Sequence, residues 1–315
     1  MLQYRKKRYG RGCGMLSYEE YKACTLCPRM CGVDRTAKRG RCRAGSEAYA
    51  VRAALHAWEE PSISGKNGSG TIFFSGCSLG CVYCQNRAIS RDGLLGKPVS
   101  CEAIADAMFR LADMGAHNIN FVTPTHFAPT VAEAVKNAKE RGFSLPVVYN
   151  TSSYERVEIL RKMQTTVDIF LADFKYMSPR LAREYSDAED YPTVAKAAIA
   201  EMVRATGEPV FSKDGLLLRG TVVRVLLLPG ALIDAKRTVK YLHKTYGDKI
   251  YLSLMRQYTP PAEDTGYPVL SRRVTAGEYK SLVDYAVSLG VVNAYTQEDG
   301  VAEESFIPSF DGSGI

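Results

Sequence analysis

The chain lacks any uninterrupted apolar run near the roughly 18 residues of a membrane span. Its longest apolar stretch, Val222–Leu228, carries Arg224 and stops at Pro229-Gly230, so it reads as a buried strand, and no membrane association is expected. No apolar segment follows the basic N-terminus (Arg5, Lys6, Lys7, Arg8, Arg11), which argues against a secretory signal. Internal repeats and low-complexity segments are missing too. The composition has no extreme: 46% hydrophobic and 24% charged residues are ordinary for a globular protein, and 315 residues suffice for one large domain or a core domain with a small module. Net charge is only +7, and much of it lies in residues 1–43. A basic arm of this kind can contact an acidic partner or nucleic acid. A solvated tail is the plainer reading, and nucleic-acid binding is not expected.

Cysteine, by contrast, is plentiful: Cys13, Cys24, Cys27, Cys31, Cys42, Cys77, Cys81, Cys84 and Cys101. Seven of these nine fall into two close-spaced groups. Without an export signal, that pattern favours metal or cluster ligation over disulfides and places the protein in the reducing cytoplasm.

From about residue 70, short β-rich runs alternate with helical patterns. The runs are Thr71–Ser75, Asn118–Val122, Pro146–Asn150, Val167–Phe174, Thr221–Leu228 and Ile250–Met255. Between them, apolar residues recur three and four apart, as in Ile104, Ala105, Met108 and Leu111 behind the N-cap candidate Ser100. Further helical patterns cover Thr130–Arg141, Tyr154–Met163, Val194–Thr206, Ile233–Tyr246 and Ala276–Leu289, with a last short strand at Val292–Tyr295. Nearly continuous apolar strands joined by helices predict a parallel sheet covered by helices, with function at the C-terminal strand ends. The expected organisation is an irregular cysteine-rich module over 1–65, an α/β unit over 66–300 that is a doubly wound sheet or a closed or partial barrel, and a loose tail over 301–315.

The first barrel strand runs into Gly70–Asn86, GTIFFSGCSLGCVYCQN, where Cys77, Cys81 and Cys84 have the spacing C-x3-C-x2-C. Three thiolates suit a [4Fe–4S] cluster, since they hold three of its four irons and leave the fourth open for a ligand. A zinc site completed by a distant histidine and three unrelated core cysteines are the alternatives. With an aromatic (Tyr83) before the third cysteine, the loop resembles the signature of radical S-adenosylmethionine (SAM) enzymes. The resemblance implies that the open iron binds the methionine part of SAM, that one electron cleaves it, and that the resulting 5′-deoxyadenosyl radical abstracts hydrogen from a substrate.

Downstream, the chain resembles the pyruvate formate-lyase activating-enzyme branch, in order over about residues 70–260. Tyr149-Asn150-Thr151-Ser152 resembles its Leu-Asp-Thr-Asn stretch, Asp173-Phe174-Lys175 its Asp-x-Lys motif, and Val223–Gly230 its Ile-Arg-x-Val-Val-Val-Pro-Gly. The resemblance implies an α/β partial (β/α)6 TIM-like barrel over 66–300, in which Arg224 pairs with the SAM carboxylate, Asp173 and Lys175 lie near the methionine moiety, Asn150 is a further cofactor-binding residue, Tyr83 lies near adenine and Gln257 lies near the ribose. A structural ion pair at Arg224 and a salt bridge between Asp173 and Lys175 are the plainer readings. There is one departure. The branch has Gly-Gly-Glu after the second strand, where this chain reads Asn120–His126. Thr123, Thr125 or His126 could meet the SAM ammonium there, or the threonines could cap the next helix. The resemblance also implies a reduced flavodoxin or ferredoxin-type electron donor and an oxidoreductase acting on a glycine of a partner protein. A small molecule or peptide side chain is the other substrate class. A non-catalytic iron–sulfur or zinc protein is the alternative from a different class.

Cys24, Cys27, Cys31 and Cys42 form a second group, C-x2-C-x3-C-x10-C, that suits a four-thiolate centre, either zinc or a second iron–sulfur cluster. It reads as a structural staple ahead of an electron relay. Arg29, Arg35, Arg39 and Arg41 beside it contact a partner or an acidic substrate, or are solvated. Glu59 and Glu60, beside the single tryptophan Trp58, cap the barrel mouth or receive a substrate, or are solvated in a turn.

Overall fold

The computed structural model describes residues 16–91, 95–297 and 310–315. The basic run over 5–11, Cys13 and most of the expected tail lie outside them. In chain order the elements are β1 (Ala48–His56), α1 (Pro61–Ser64), β2 (Ser69–Phe74), α2 (Arg87–Ser90), β3 (Lys97–Val99), α3 (Cys101–Asp113), β4 (Ile119–Val122), α4 (Ala128–Glu140), β5 (Val147–Thr151), α5 (Val157–Met163), β6 (Ile169–Asp173), α6 (Pro179–Ser186), α7 (Tyr191–Thr206), β7 (Val210–Phe211), β8 (Leu217–Leu226), α8 (Leu232–Tyr246), β9 (Tyr251–Met255), α9 (Ala276–Ser288) and β10 (Ala294–Thr296).

The strands form an open sheet in the order β10-β9-β8-β6-β5-β4-β2-β1-β3, with β7 paired to β8. Pairing is parallel from β2 through β4, β5, β6, β8 and β9 to β10. The six β-rich runs are all in this parallel set, and the expected last short strand joins it as β10. The path does not close on itself, which makes a partial barrel. Every residue of β2, β4 and β5 is buried, as a sheet covered on both faces requires. β1 pairs antiparallel with β2 and β3, so residues 48–56 of the expected irregular module belong to the sheet. The helix α6 was not visible as an apolar pattern either.

Alternation along the strands separates two layers. Ile72, Phe74, Phe121, Tyr149, Phe170 and Val223 pack under the helices in the main core. On the opposite, inner face, Val148, Ile169, Leu171, Leu217 and Val222 form an apolar floor with Ile63 of α1. Two residues further along the same strands this face turns polar: Asn150 follows Val148, Asp173 follows Leu171, and Arg224 follows Val222. α1 is tied across the open side. Tyr295 on β10 donates to Ser62 Oγ at 2.7 Å, and Asn118 Nδ2 donates to the Ile63 carbonyl at 2.7 Å. Ser100 caps α3 as its sequence suggests, accepting from the Ala103 amide.

Residues 16–47 dock on this frame. Arg35 is only 2% exposed. Its guanidinium donates to the carbonyls of Ala44 (3.2 Å), His126 (2.5 Å) and Gly45, and lies over the Tyr21 and Phe127 rings. Tyr21 OH meets Thr130 Oγ1 at 3.0 Å. A buried Arg with several carbonyl partners is a structural pin, so the solvated reading does not hold for this arginine. The end of the expected loose tail is ordered. Ala53 N donates to Ser313 O and Gly312 N to Val51 O, and Phe310 packs edge-on against Phe73. No helix among the described residues is long and apolar enough to cross a membrane.

Candidate active site

Cys77 stands three residues beyond β2, so its loop leaves the strand end where a parallel sheet collects function. Gly76 has φ +91, and a Cβ there would come 2.7 Å from the Cys42 carbonyl oxygen. Only glycine meets both demands. Donors surround the sulfurs: Leu79 N lies 3.4 Å from Cys77 Sγ, Ser186 Oγ 2.9 Å from Cys81 Sγ, and Ser90 Oγ 3.3 Å from Cys84 Sγ. Burial, and then the neighbouring Cys81 and Cys84, push the Cys77 thiol up to about 12; burial also raises Cys84. Crowded buried thiols ionise when a cationic group takes up their charge, and amide and hydroxyl donors to sulfur suit an iron–sulfur cluster. Among the described residues no three His, Cys, Asp or Glu side chains form a site for a single metal ion. The donor set around these three sulfurs fits a multi-iron group.

Arg29 holds this loop from outside. Its guanidinium donates to Ser78 O at 2.9 Å, Leu79 O at 3.5 Å, Ser186 O at 3.0 Å and Asp187 O. It too is engaged with backbone and not solvated.

Beside the loop lies a cavity of about 250 Å³. Cys77, Cys81 and Cys84 line it, and so do Tyr83, Thr123, Asn150, Asp173, Lys175, Arg224 and Gln257. Residues from six strand ends thus meet in one space. Tyr83 OH accepts from Tyr176 OH at 2.7 Å. Gln257 is held by Gln85 Nε2 at its carbonyl (2.8 Å) and by Gln297 Nε2 at its Oε1 (2.7 Å). Thr123 is a β-branched residue held at φ +56, a strained conformation at the cavity wall.

Thr125 and His126 are not among the residues that line the cavity. Thr125 Oγ1 donates to Glu155 Oε1 at 2.5 Å, as does Thr151 Oγ1 from the cavity wall. Burial pushes Glu155 up to about 7. His126 is buried behind the cysteine loop with Nε2 2.8 Å from Ser75 O, and burial, followed by the Arg35 charge, pushes it down to about 3.

A charged network fills the cavity floor. Arg224 Nε meets Asp173 Oδ1 at 2.7 Å, its Nη2 donates to Asn150 Oδ1 at 2.7 Å, and its Nη1 lies 3.3 Å from Glu59 Oε2. Lys175 Nζ meets Asp173 Oδ2 at 2.7 Å. Burial drives Asp173 up, but Arg224 and then Lys175 outweigh it and hold the carboxyl below its usual range. Burial works against both cations, and Asp173 raises both. Glu59 also accepts from Asn120 Nδ2 at 3.0 Å and Asn150 Nδ2 at 3.4 Å. Arg224 therefore makes the ion pair of its plainer reading while it faces the cavity.

The four N-terminal thiols are neighbours. A Cβ on Gly40 would lie 3.5 Å from both Cys31 Sγ and Cys42 Sγ, and Arg35 Nη1 lies 3.8 Å from Cys24 Sγ. Burial pushes Cys27 up to about 12, with Cys42 and Cys24 adding to it. Burial also acts on Cys31, but the amides of Arg41 and Val33 outweigh it and lower that thiol. The Cys42 carbonyl accepts the Cys77 amide at 3.2 Å, so the two cysteine groups are one hydrogen bond apart.

Ser90, Ser186 and Asn120 were not singled out from the sequence. Ser186 stands 105 positions from Cys81, and nothing local marks it. Glu59 was marked only as one of a carboxylate pair beside Trp58.

The fold and site define an α/β protein with a partial barrel and a thiol cup at the end of its first parallel strand, opening on a charged cavity. The radical SAM superfamily model matches residues 71–253, from the start of that strand to β9, and the chain belongs to that superfamily. Membership implies a [4Fe–4S] cluster and SAM. The chain is 28% identical over 277 residues to the uncharacterized protein MJ0674 of Methanocaldococcus jannaschii, covering 84% of this chain and 75% of that one. Among solved structures it is similar to a radical SAM methyltransferase from Sphaerobacter thermophilus (17% identity, TM-score 0.49, 74% of this chain and 67% of that one). It is also similar to a domain of a pyruvate-formate lyase-activating enzyme from Bacteroides vulgatus (12% identity, TM-score 0.38, 55% and 92%).

Proposed function

We propose that the protein is an activating-enzyme-like oxidoreductase that cleaves SAM reductively and removes a hydrogen atom from a glycine of a partner protein. The observation that carries the reading is the single cavity shared by Cys77, Cys81, Cys84 and the strand-end residues Asn150, Asp173, Lys175 and Arg224. Cys77, Cys81 and Cys84 would hold a [4Fe–4S] cluster, which would supply the one electron that splits SAM into methionine and the 5′-deoxyadenosyl radical that takes hydrogen from the substrate. The chain's own residues bind and shield. Lys175 and Arg224 offer cations for a carboxylate, and Tyr83 and Gln257 form a wall for the nucleoside. Phe73, Val122, Leu226 and Met255 line the same space with apolar surface that keeps water from a radical. Trp58, 59% exposed and also part of the lining, marks a mouth where a protein loop can enter.

The proposal extends to a flavodoxin or ferredoxin-type donor and a cytoplasmic setting, consistent with free cysteines throughout the described residues. It also extends to a second metal or iron–sulfur centre at Cys24, Cys27, Cys31 and Cys42. The test is anaerobic turnover with a glycyl peptide deuterated at Cα. Deuterium in 5′-deoxyadenosine supports glycine as substrate. Unlabelled 5′-deoxyadenosine from fully reduced, cluster-loaded protein moves the assignment to a small molecule or side chain.

A further inference from the structure

The four N-terminal thiols have the surroundings of ligands. All four are free, Cys24, Cys27 and Cys42 are buried, and Cys31 is half-buried. N–H groups serve each of them. The amides of Val33 and Arg41 favour a thiolate at Cys31, that of Arg29 at Cys27 and that of Ala44 at Cys42, while Arg35 Nη1 lies 3.8 Å from Cys24 Sγ. Met30 N donates to Cys27 O and Gly32 N to Cys24 O, both at 3.0 Å, which folds the segment into a tight knuckle. Thiolates gathered in this way need a cationic group at their centre. One zinc ion would draw its four sulfurs to within ~4 Å of one another. No such single-ion site exists among the described residues. The Cys31 and Cys42 sulfurs each lie 3.5 Å from the point where a Cβ on Gly40 would stand, so they are at most twice that distance apart. A cluster of several irons spans such a gap.

This group has an inner and an outer side. On the inner side Cys77 N donates to Cys42 O at 3.2 Å, and Arg29, two residues past Cys27, donates to Ser78 O at 2.9 Å. Main chain and hydrogen bonds therefore join the two cysteine groups directly. On the outer side Met30, beside the half-buried Cys31, is 55% exposed. Lys38, Arg39, Arg41 and Arg43 are exposed around it, with no carboxylate between residues 38 and 43. Arg41 is paired with Asp187. Among the described residues the side chains of Lys38, Arg39 and Arg43 have no carboxylate partner. A basic rim beside an accessible sulfur is complementary to an acidic protein surface.

We propose that Cys24, Cys27, Cys31 and Cys42 hold a second iron–sulfur cluster, and that electrons enter the protein there from an acidic electron-carrier protein docked on Lys38, Arg39 and Arg43. This rests on the radical SAM reading and takes the second centre named with it as iron–sulfur and not zinc. Electrons pass singly. The carrier is oxidised as the N-terminal cluster is reduced, and that cluster is reoxidised as the one at Cys77, Cys81 and Cys84 is reduced. No bond is made or broken. The module is then an entry port as well as a staple.

The test uses full-length protein reconstituted anaerobically with iron and sulfide. The triple variant Cys77→Ala, Cys81→Ala, Cys84→Ala should retain at least about two irons per chain with equal labile sulfide, and adding Cys24→Ala and Cys31→Ala should remove them. Zinc without iron, or no metal, in the triple variant overturns the proposal. Should that variant fail to fold, wild type decides: at least about six irons per chain supports a second cluster and about four overturns it. For the port, stopped flow follows reduction of cluster-loaded protein by a reduced acidic [2Fe–2S] ferredoxin and by photoreduced deazaflavin, a small reagent that needs no docking. The ratio of the first rate to the second should fall at least about tenfold in Lys38→Glu, Arg39→Glu, Arg43→Glu combined, and should fall with added salt in wild type. An unchanged ratio in the combined variant overturns the proposal. Wild type that accepts electrons into both clusters but forms no 5′-deoxyadenosine rejects the radical SAM reading and leaves the second cluster and its port standing.

Discussion

Asp173 and Arg224 stand opposite each other in the register of β6 and β8, and Asp173 Oδ1 meets Arg224 Nε at 2.7 Å. The sheet itself makes this pair, because both residues sit on the inner face two positions beyond the apolar floor. Arg224 also donates to Asn150 and Glu59, which leaves two of its five N–H groups for a ligand. Replacing it with Met leaves Glu59 without its cation and Asp173 with Lys175 alone. Arg224→Met should lose roughly 3–5 kcal/mol of stability and most SAM affinity. Arg224→Lys keeps the charge but not the fork and should fall between. Urea unfolding and equilibrium dialysis check both; a stable Arg224→Met protein with normal SAM binding would show that the pair is peripheral.

The Arg29 clamp predicts a loop effect. Four backbone carbonyls around the three-cysteine loop and the end of α6 depend on one guanidinium. Arg29→Ala should cost about 3 kcal/mol and lower the iron retained per chain after desalting. Retention equal to wild type would mean that the loop holds its shape unaided.

Thr123 predicts a trade between stability and binding. Its φ of +56 suits glycine, so Thr123→Gly should gain up to about 1 kcal/mol while the hydroxyl at the cavity wall is lost. Thermal melting should rise as SAM affinity falls. A fall in both would show that the hydroxyl, not the backbone, governs this turn.

His126 predicts acid sensitivity. Its folded pKa, about 3, lies below the 6.5 of an unperturbed imidazole. Between those values the unfolded chain binds the extra proton, so stability is intact above about 6.5 and falls by up to roughly 1.4 kcal/mol per pH unit below it. The urea midpoint should drop more between pH 7 and 5.5 in wild type than in His126→Gln. Equal drops would assign the acid sensitivity to other groups.

Much of the fold was legible because parallel strands buried on both faces are continuous apolar runs, and because the amphipathic helices carry the 3.6-residue period. The strand β1 was missed because it sits among Gly, Arg and Cys residues that mask its alternation. The helix α6 was missed because its core contribution is only Ala182, Tyr185 and Ser186. Of the site, the cysteines were visible from spacing alone. Asp173 and Arg224 were visible as charges at the ends of apolar strands. Thr125 and His126 are held by Glu155 and the Ser75 carbonyl, contacts that no local pattern encodes. The roles of Arg29, Arg35 and Ser186 are long-range, and no local pattern encodes them.

The central claim is that the thiols at Cys77, Cys81 and Cys84 serve SAM cleavage. Anaerobically reconstituted protein, reduced with dithionite, should convert SAM to methionine and 5′-deoxyadenosine. Cys101→Ala should do the same, and Cys81→Ala should form no product. Absence of 5′-deoxyadenosine from wild-type protein with a full cluster, or equal loss in both variants, would contradict the account.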